Sequence, residues 1–459
     1  MKTRRSKDTA KFRLKLLLVA DKAGCSPELI RLIKNDMIRV ISKYMEIEKD
    51  NVRLLMDTDG SASCRGCRCS RQIYPYAPFP IRGFTDMLFD YDFRNYSFRL
   101  LAYMTALSVI GILVVRSATN MDSEAVTKQM FGILAGMAIA VCLSLVDYHK
   151  ILNFSTVIYL ICIGSLLAVL FWGRSVNNAK RWIEVPVLGQ LQPSEFVKIG
   201  LIITFSWYFM KYQEKVDKVS TVVLAAALFA VPAMLIFEQP NLSTCLVTVV
   251  IVLGIVFASG ISYRWIVGTL AVVIPMIATG VYLLLHGMIP FIKEYQAGRI
   301  LAWFYPEQYG EARYQQNNSI IAIGSGQLHG KGLYNTTIAS VKNGNFLSEE
   351  QTDFIFAVIG EELGFIGCAI VILLFLLIVY ECLMMAARAK DMAGRLLCTG
   401  MATLIAFQSF ANIAVATGIF PNTGLPLPFI SFGSSSLISI FIGMGLVLNV
   451  GLQRVPRHY

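Results

Sequence analysis

The stretch QTDFIFAVIGEELGFIGCAIVILLFLLIVY, residues 351–380, sets a carboxylate, Asp353, directly before a long apolar run. Crossing the hydrocarbon core of a bilayer takes about 20 apolar residues, and residues 354–380 suffice for one such helix. The sequence therefore predicts Asp353 at the border between water and membrane. There it can act on the headgroup of a lipid whose tail stays in hydrocarbon, whereas a carboxylate in mid-membrane would need a partner or a water-filled path.

The composition places the whole chain in the same class. Of its 459 residues, 55% are hydrophobic and only 15% are charged, and the mean hydropathy is +0.58. Soluble domains are about 45–50% apolar and about 25% charged, so we interpret this chain as an integral membrane protein. The net charge is +11, and residues 1–97 hold 19 Lys and Arg residues against 12 Asp and Glu residues. Anionic membrane lipids are one natural partner for that basic region, whereas nucleic acid is not expected because no stripe of basic and aromatic residues accompanies the charge.

Ten stretches reach the length of a membrane span, which predicts an α-helical integral membrane protein built as a ten-transmembrane-helix bundle. They lie near 98–117, 126–146, 150–172, 193–210, 219–237, 243–260, 265–286, 354–380, 396–418 and 430–452. With ten spans, the short basic connections all fall on one side, so both chain ends are expected in the cytoplasm. The opposite, extracytoplasmic face then receives the 67 residues 287–353 as one large loop. Large loops held on a rigid bundle are where function tends to lie.

A small α+β cytoplasmic domain is predicted ahead of the bundle, in residues 10–56. Its clearest element is the helix after Ser26, which is a good N-cap and is followed by Pro27 at the first helical position and by apolar residues on one face. Residues 58–97 are interpreted as a linker because they are rich in Gly, Ser, Pro and Arg. Within them, CRGCRC at 64–69 has metal-like spacing but lacks the fourth ligand of a closed zinc site, so a metal site and a flexible basic linker both stay open.

Six motifs, taken in their order, resemble those of the SEDS family, and in particular its RodA-like members. They are AKRWIEV, QPSEFVK, QPNLST, IAIGSGQLHGKGL, TDFIFAVIGEELG and PNTGLPLPFISFGSSSL, and the resemblance covers residues 98–455. It implies a ten-helix peptidoglycan glycosyltransferase that polymerises lipid II at the outer face of the bacterial cytoplasmic membrane, in cell-shape or division wall synthesis, beside a class B penicillin-binding protein. It also implies a catalytic aspartate at Asp353. One departure is Asn241 in QPNLST, where the family usually has Asp.

A second resemblance covers about residues 8–57. AKFRLKLLLVADK and SPELIRLIKNDMIRVISKYMEIEKDNVRLLM are similar to MinE, the topological specificity factor of division-site selection. This resemblance implies a dimerising MinE-like domain at 1–57 and a MinD-contacting segment at 10–22, with Arg13 and Lys15 as candidate contacts.

The chemistry of Asp353 can also be argued from the residue itself. Polymerising sugars from a lipid pyrophosphate donor needs a base that takes the proton of the acceptor hydroxyl, and a carboxylate at headgroup level supplies one. Such a displacement inverts the anomeric carbon. The competing interpretation is that Asp353 caps the helix from Phe354, a common role for Asp. Glu361 and Glu362 lie two helical turns further on and are expected to be structural.

Positive groups on the predicted outer face are candidates for binding the pyrophosphate, and they are Arg181, Lys331 and Lys180. The glycines around Lys331 would either bring backbone N–H groups near an anion or form a plain flexible loop. Trp182 is expected to anchor at the membrane interface or to stack on a sugar.

Two further features lie at the ends of predicted spans. Glu195 and Lys198 are three residues apart, so they would share one helix face. They would form an intrahelical ion pair, or line a cavity and bind substrate. PNTGLPLPFISFGSSSL, residues 421–437, contains three prolines that prevent a continuous helix, and it is expected to shape the bundle.

A divalent cation, if used, is expected to be Mg or Mn held by Asp353 and by substrate phosphates. The four histidines show no metal spacing, and these two cations take oxygen ligands.

The alternative function is a flippase that moves lipid II across the membrane. Transporters tend to carry repeats and polar groups at mid-membrane. Here the polar residues concentrate in the outer loops, so the sequence favours the glycosyltransferase.

Overall fold

The structure is a computed structural model that describes residues 53–56, 62–65, 96–176, 179–185, 189–286, 294–335, 347 and 350–453. Most of the predicted α+β domain, including Arg13 and Lys15, lies outside these residues. Its described part is strand β1 (Arg53–Met56), which pairs antiparallel with β2 (Ala62–Arg65). The second strand falls within the predicted linker.

Helices occupy all ten stretches in which spans are predicted. In chain order the helices are α1 (Phe98–Ala118), α2 (Ser123–Ser144), α3 (Tyr148–Asn153), α4 (Ser155–Trp172), α5 (Pro193–Lys211), α6 (Val219–Glu238), α7 (Leu242–Ala258), α8 (Tyr263–Leu285), α9 (Glu294–Phe304), α10 (Gly310–Ser325), α11 (Ile355–Ala387), α12 (Met392–Ala416) and α13 (Ser434–Leu452). Within the described residues, eight helices are long and apolar enough to cross a membrane, and α7 is a shorter apolar helix. The protein is therefore a multi-pass membrane protein, and the count of ten spans stays a prediction.

The loop between α4 and α5 contains a small antiparallel sheet. Its strands are β3 (Arg174–Val176), β4 (Ala179–Val185) and β5 (Gly189–Leu191), with β4 in the centre. Trp182 lies opposite Arg174, and Ile183 lies opposite Leu191. This sheet holds the AKRWIEV motif in an extended conformation above the bundle.

The core of the bundle is formed by α5, α12 and α13. Of the most apolar 18 residues of each candidate span, 83% are buried in α13 and 67% in α12, against 22% in α4 and 22% in α6. The first two helices therefore contact other helices, and α4 and α6 face the lipid. Helix α5 is buried along most of its length, including its two charged residues Glu195 and Lys198.

Helix α11 is broken near its start. It has 33 residues, about 50 Å at 1.5 Å per residue, which exceeds the roughly 30 Å of the hydrocarbon core. Gly364 interrupts it with a φ of +66°, and a Cβ atom there would lie 2.3 Å from Gly330 N. The glycine-rich stretch after α10 fills the break, since Phe365 N donates to Gln327 O at 2.8 Å. A short N-terminal piece thus precedes the long apolar part of α11.

A charged cluster lies at the end of α11 opposite to Asp353. The two ring nitrogens of His149 contact Asp147 Oδ1 at 2.8 Å and Asp391 Oδ2 at 2.9 Å. Burial of the ring opposes protonation, but these two carboxylates outweigh it and raise the pKa of His149 to about 9. The contact with His149 and a hydrogen bond from Gln453 together outweigh the burial of Asp147 and lower its pKa to about 2. The cluster joins α3 to the α11–α12 connection and to the end of α13.

Candidate functional site

Asp353 lies in the turn that leads into α11. Its side chain is half-buried, and its backbone carbonyl accepts a hydrogen bond from Asn412 Nδ2 at 2.8 Å. Helix α11 begins at Ile355, and its cap residue is Phe354, which makes no side-chain cap hydrogen bond. Asp353 therefore stands one residue outside the cap position, with its carboxylate at the end of the helix.

Gly424 brings Asp353 next to a cation, Arg299 of α9. A Cβ atom built on Gly424 would lie 3.0 Å from Asp353 Oδ2 and 3.6 Å from Arg299 Nη1. The glycine has a φ of +68°, a left-handed conformation that other residues rarely adopt. The carboxylate and the guanidinium thus border the same glycine, which leaves room for both.

The segment 421–427, which carries Gly424, is held in place by Asn412 of α12. This side chain is 1% exposed, and its Nδ2 donates to Leu425 O at 2.7 Å as well as to Asp353 O at 2.8 Å. An amide nitrogen has two hydrogens to donate, so both bonds can form together. One side chain therefore fixes the distance between the turn of Asp353 and the segment of Gly424.

Glu195 and Lys198 form the intrahelical ion pair that their spacing allows. Lys198 Nζ contacts both carboxylate oxygens of Glu195 at 2.9 Å and donates to Gln408 Oε1 at 2.8 Å. Gln408 Nε2 in turn donates to Pro426 O at 2.9 Å. Lys198 is 0% exposed and Glu195 is 2% exposed, so the pair is sealed in the bundle and acts on the site through Gln408.

Arg181 projects from β4 towards the end of α6. Its Nε donates to Gln239 O at 3.3 Å, and its Nη2 donates to Pro240 O. Gln239 is the C-cap residue of α6, and carbonyls at a helix C-terminus carry partial negative charge, which favours a cation there. The guanidinium is thereby held at the C-terminal end of α6.

Arg181 and Arg299 line the same cavity, which has a volume of about 140 Å³. Its wall also includes Ser243 of α7 and the residues Asn422 and Thr423. Asn422 Oδ1 and Thr423 Oγ1 are buried, and neither has a hydrogen-bond partner within the described part of the chain. Gly424, which borders Asp353, follows Thr423 directly, so the cavity lies near Asp353. We call this cavity the arginine pocket.

The other basic candidates lie elsewhere. Lys180 and Trp182 flank Arg181 in β4, where the pairing with β3 is irregular. Lys180 is exposed and Trp182 is half-buried. Neither residue is among the described residues that line the arginine pocket.

Lys331 contacts the start of α11, and it is not among the described residues that line the arginine pocket. Its Nζ lies 2.7 Å from Glu361 Oε1, and its backbone N donates to Glu361 O at 2.9 Å. Glu362 Oε1 accepts a hydrogen bond from Ser117 Oγ at 2.5 Å. Both glutamates thus make structural contacts with neighbouring elements, and the glycine-rich stretch packs against them.

Asn241 is the N-cap of α7. Its Oδ1 accepts a hydrogen bond from Thr244 N at 3.3 Å, a role that Asn and Asp perform about equally well. The residue is 4% exposed. The change from the family's usual Asp therefore keeps the cap and removes a charge two residues from Ser243 of the arginine pocket.

Arg299 was missed by the sequence-based prediction. It lies in the large loop 287–353, which also contains other basic residues, and no motif surrounds it. The available signal was the amphipathic run EYQAGRILAWF, which forms α9. That signal predicts a helix, and only the packing of α9 against the segment of Gly424 shows where the guanidinium lies.

Two family models match the chain, each where the motifs predicted it. The model of the FTSW_RODA_SPOVE cell cycle proteins matches residues 95–455. The model of MinE, the septum formation topological specificity factor, matches residues 1–64.

Named relatives and solved structures agree with the first match. Peptidoglycan glycosyltransferase MrdB of Escherichia coli K12 is 32% identical over 356 residues, covering 77% of this chain and 93% of the relative. The probable peptidoglycan glycosyltransferase FtsW of Geobacter metallireducens is 33% identical over 378 residues, covering 79% and 96%. The crystal structure of the rod shape determining protein RodA of Thermus thermophilus superposes with a TM-score of 0.57 at 26% identity, covering 80% of this chain and 99% of that one. A chain of a peptidoglycan synthase complex that coordinates polymerization and crosslinking superposes with a TM-score of 0.64 at 27% identity, covering 78% and 97%.

Proposed function

The chain belongs to the FtsW, RodA and SpoVE family of cell cycle proteins, and from this we propose that Asp353 and the arginine pocket form its active site for polymerising lipid II. Like its named relatives, the chain is a peptidoglycan glycosyltransferase, and it is a multi-pass membrane protein. The observation that carries the assignment of the site is that Asp353 and Arg299 both border Gly424.

Asp353 acts as the general base. Its carboxylate takes the proton from the acceptor hydroxyl of one lipid-linked disaccharide, and the oxygen attacks the anomeric carbon of a second one. A new glycosidic C–O bond forms, and the C–O bond between that carbon and the diphosphate breaks. The bond pair leaves with the lipid diphosphate, and the anomeric configuration inverts. The half-buried position of the carboxylate suits this role, since an acceptor can reach it.

Arg181 and Arg299 stabilise the departing diphosphate. A guanidinium offers paired donors to phosphate oxygens, and two of them in one cavity match the two phosphates of the leaving group. Donors placed where charge develops are typically worth about 10²–10³ in rate each. We assign this role to Arg299 and not to Lys331, because Lys331 forms an ion pair with Glu361.

A divalent cation, Mg or Mn, would be held by Asp353 together with oxygens of the substrate diphosphate. The described residues contain no group of three or more His, Cys, Asp or Glu side chains that could hold a metal ion. A single carboxylate fits Mg, which commonly binds through one or two carboxylates plus substrate phosphates. Such a cation would neutralise part of the charge on the leaving group.

We propose that all ten predicted stretches span the membrane, with both termini in the cytoplasm. The excess of Lys and Arg in the short connections on one side supports this orientation. It puts Asp353, the sheet of β3 to β5 and the arginine pocket on the outer face, where the lipid-linked sugar is polymerised.

Partners are proposed from the two resemblances. The synthase-complex neighbour supports assembly with a crosslinking partner, for which the SEDS resemblance implies a class B penicillin-binding protein. The MinE match supports contact with MinD through residues 10–22, with Arg13 and Lys15 as the candidate contacts. Binding of the full chain to MinD in the presence of ATP tests the second contact, and an Arg13→Ala, Lys15→Ala variant that still binds would contradict it.

Polymerisation of lipid II by the purified full-length protein tests the site. Asp353→Asn should abolish glycan synthesis while leaving the melting temperature unchanged. Glu307→Gln is the matched control, because Glu307 is an exposed carboxylate in the same outer loop, and it should retain activity. Unchanged synthesis by Asp353→Asn would defeat the assignment.

A further inference from the structure

The turn that carries Asp353 is held by two buried side chains. Thr352 O accepts a hydrogen bond from Ser431 Oγ at 2.6 Å, and Asp353 O accepts one from Asn412 Nδ2 at 2.8 Å. Ser431 is 3% exposed and Asn412 is 1% exposed. Asn412 lies on α12 and Ser431 lies in the connection before α13, so the two donors come from separate elements.

Each of these side chains also bonds the segment 421–427. Ser431 Oγ accepts a hydrogen bond from Leu427 N at 2.7 Å, and Asn412 Nδ2 donates to Leu425 O at 2.7 Å. A hydroxyl group both donates and accepts, so Ser431 can make its two bonds together. Two side-chain bridges therefore join the turn of the carboxylate to this segment.

One atom of the Asn412 amide is left without a hydrogen bond. Both partners of the amide are carbonyl oxygens, so its nitrogen has to face them and Oδ1 has to face away. Oδ1 is buried, and within the described part of the chain it has no hydrogen-bond partner. A buried polar atom without a partner lowers stability. Asn412 therefore fixes the turn at a cost to the stability of the fold, a combination that indicates a role in the site.

We propose, on the basis of the active site assigned above, that Asn412 and Ser431 are positioning residues for the base. They hold the turn of Asp353 against the segment 421–427, so that the carboxylate meets the acceptor hydroxyl in one geometry. Both act through the backbone of the turn and not by contact with the substrate. Precise placement matters because a shift of about 1 Å in a reacting group costs about 10²-fold in rate.

Polymerisation of lipid II by purified full-length variants tests this role. Ser431→Ala and Asn412→Ala each remove one bridge, and a shift of the carboxylate by about 0.5 Å should then lower kcat about tenfold. The double variant removes both bridges and should lower kcat by about 10²-fold. The KM for lipid II should stay unchanged in all three variants, because neither bridge includes Arg181 or Arg299.

Two matched controls separate positioning from stability. Ser409→Ala removes a buried hydroxyl of α12 that donates within its own helix, to Ile405 O at 2.6 Å. Asn449→Ala removes a buried amide near the end of α13, which donates to Ser144 O at 2.7 Å. Both controls should keep kcat per folded molecule, even where the melting temperature falls.

Three results would overturn the proposal. The first is an unchanged kcat in the double variant. The second is a rise in KM in place of the fall in kcat. The third is an equal loss of kcat per folded molecule in the controls, since the bridges would then act through stability alone.

Failure of this proposal is distinguishable from failure of the active-site assignment. Asp353→Asn removes the base and leaves both bridges in place, so its activity tests the assignment alone. Fully active Ser431→Ala and Asn412→Ala variants beside an inactive Asp353→Asn variant would leave the base assigned and refute the role of the bridges.

Discussion

Replacing Gly424 by Ala tests whether the carboxylate of Asp353 must sit where the structure places it. The new methyl group would lie 3.0 Å from Asp353 Oδ2, a distance at which the neighbour has to give way by a few tenths of an ångström. It would also lie 3.6 Å from Arg299 Nη1, which is ordinary contact. The substitution therefore moves the carboxylate and leaves the guanidinium nearly in place.

Two separate costs are expected from Gly424→Ala. The first is backbone strain, since a left-handed conformation costs an L-residue about 1–2 kcal/mol, and this lowers stability. The second is misplacement of the base: a shift of about 1 Å costs about 10²-fold in rate. A displacement of a few tenths of an ångström then corresponds to a loss in kcat of about tenfold.

The assay is polymerisation of lipid II by purified full-length protein, together with thermal unfolding in detergent. Gly260→Ala is the matched control, because Gly260 has a φ of +80° and a Cβ there would meet nothing within 4 Å. Both variants should lose similar stability, and only Gly424→Ala should lose kcat. If the two variants retain equal activity per folded molecule, the position of Asp353 is not what Gly424 protects, and the reasoning is refuted.

Two further predictions concern charges away from the arginine pocket. The pKa of His149 is raised to about 9 from about 6.5, because its contacts with Asp147 and Asp391 outweigh its burial. The stabilisation by the protonated ring is therefore complete below about pH 6.5 and is lost as the pH rises through about 9, so the melting temperature should fall across this range. A His149→Gln variant that melts with the same pH dependence would contradict the assignment. Lys198→Met leaves the carboxylate of Glu195 buried without its cation, which should lower the free energy of unfolding by about 3–5 kcal/mol. Adding Glu195→Gln should recover much of that stability in denaturant unfolding. A double variant no more stable than the single one would show that the pair does not act as a unit.

The helices were predictable because hydropathy is a local property. Each stretch of about 20 apolar residues has to satisfy its backbone hydrogen bonds internally in a membrane, so a helix follows from composition alone. The same rule could not show the break at Gly364, since FIFAVIGEELGFIG reads as the start of one continuous span apart from Glu361 and Glu362. That break depends on the stretch after α10, which packs its backbone against the glycine.

The buried polar contacts were predictable only within one helix. The spacing of Glu195 and Lys198 predicts their ion pair, because i and i+3 side chains meet on a helix. The further bond from Lys198 to Gln408 joins residues 210 positions apart, and no sequence pattern shows it. The structure thus turns a local pair into a support for the segment of Gly424.

The sequence by itself determined that this protein is a membrane enzyme and that one carboxylate, Asp353, begins a span, because apolar length and the order of motifs are written along the chain. Tertiary structure alone decided which cation lies near that carboxylate and which second cation shares a cavity with the first. Arg181 on a strand, Arg299 on α9 and Gly424 in a connection come together through packing, whereas Lys331, which looked equally suitable, is held by Glu361 instead. The physical reason is that charges act through distances in space, which a sequence does not contain.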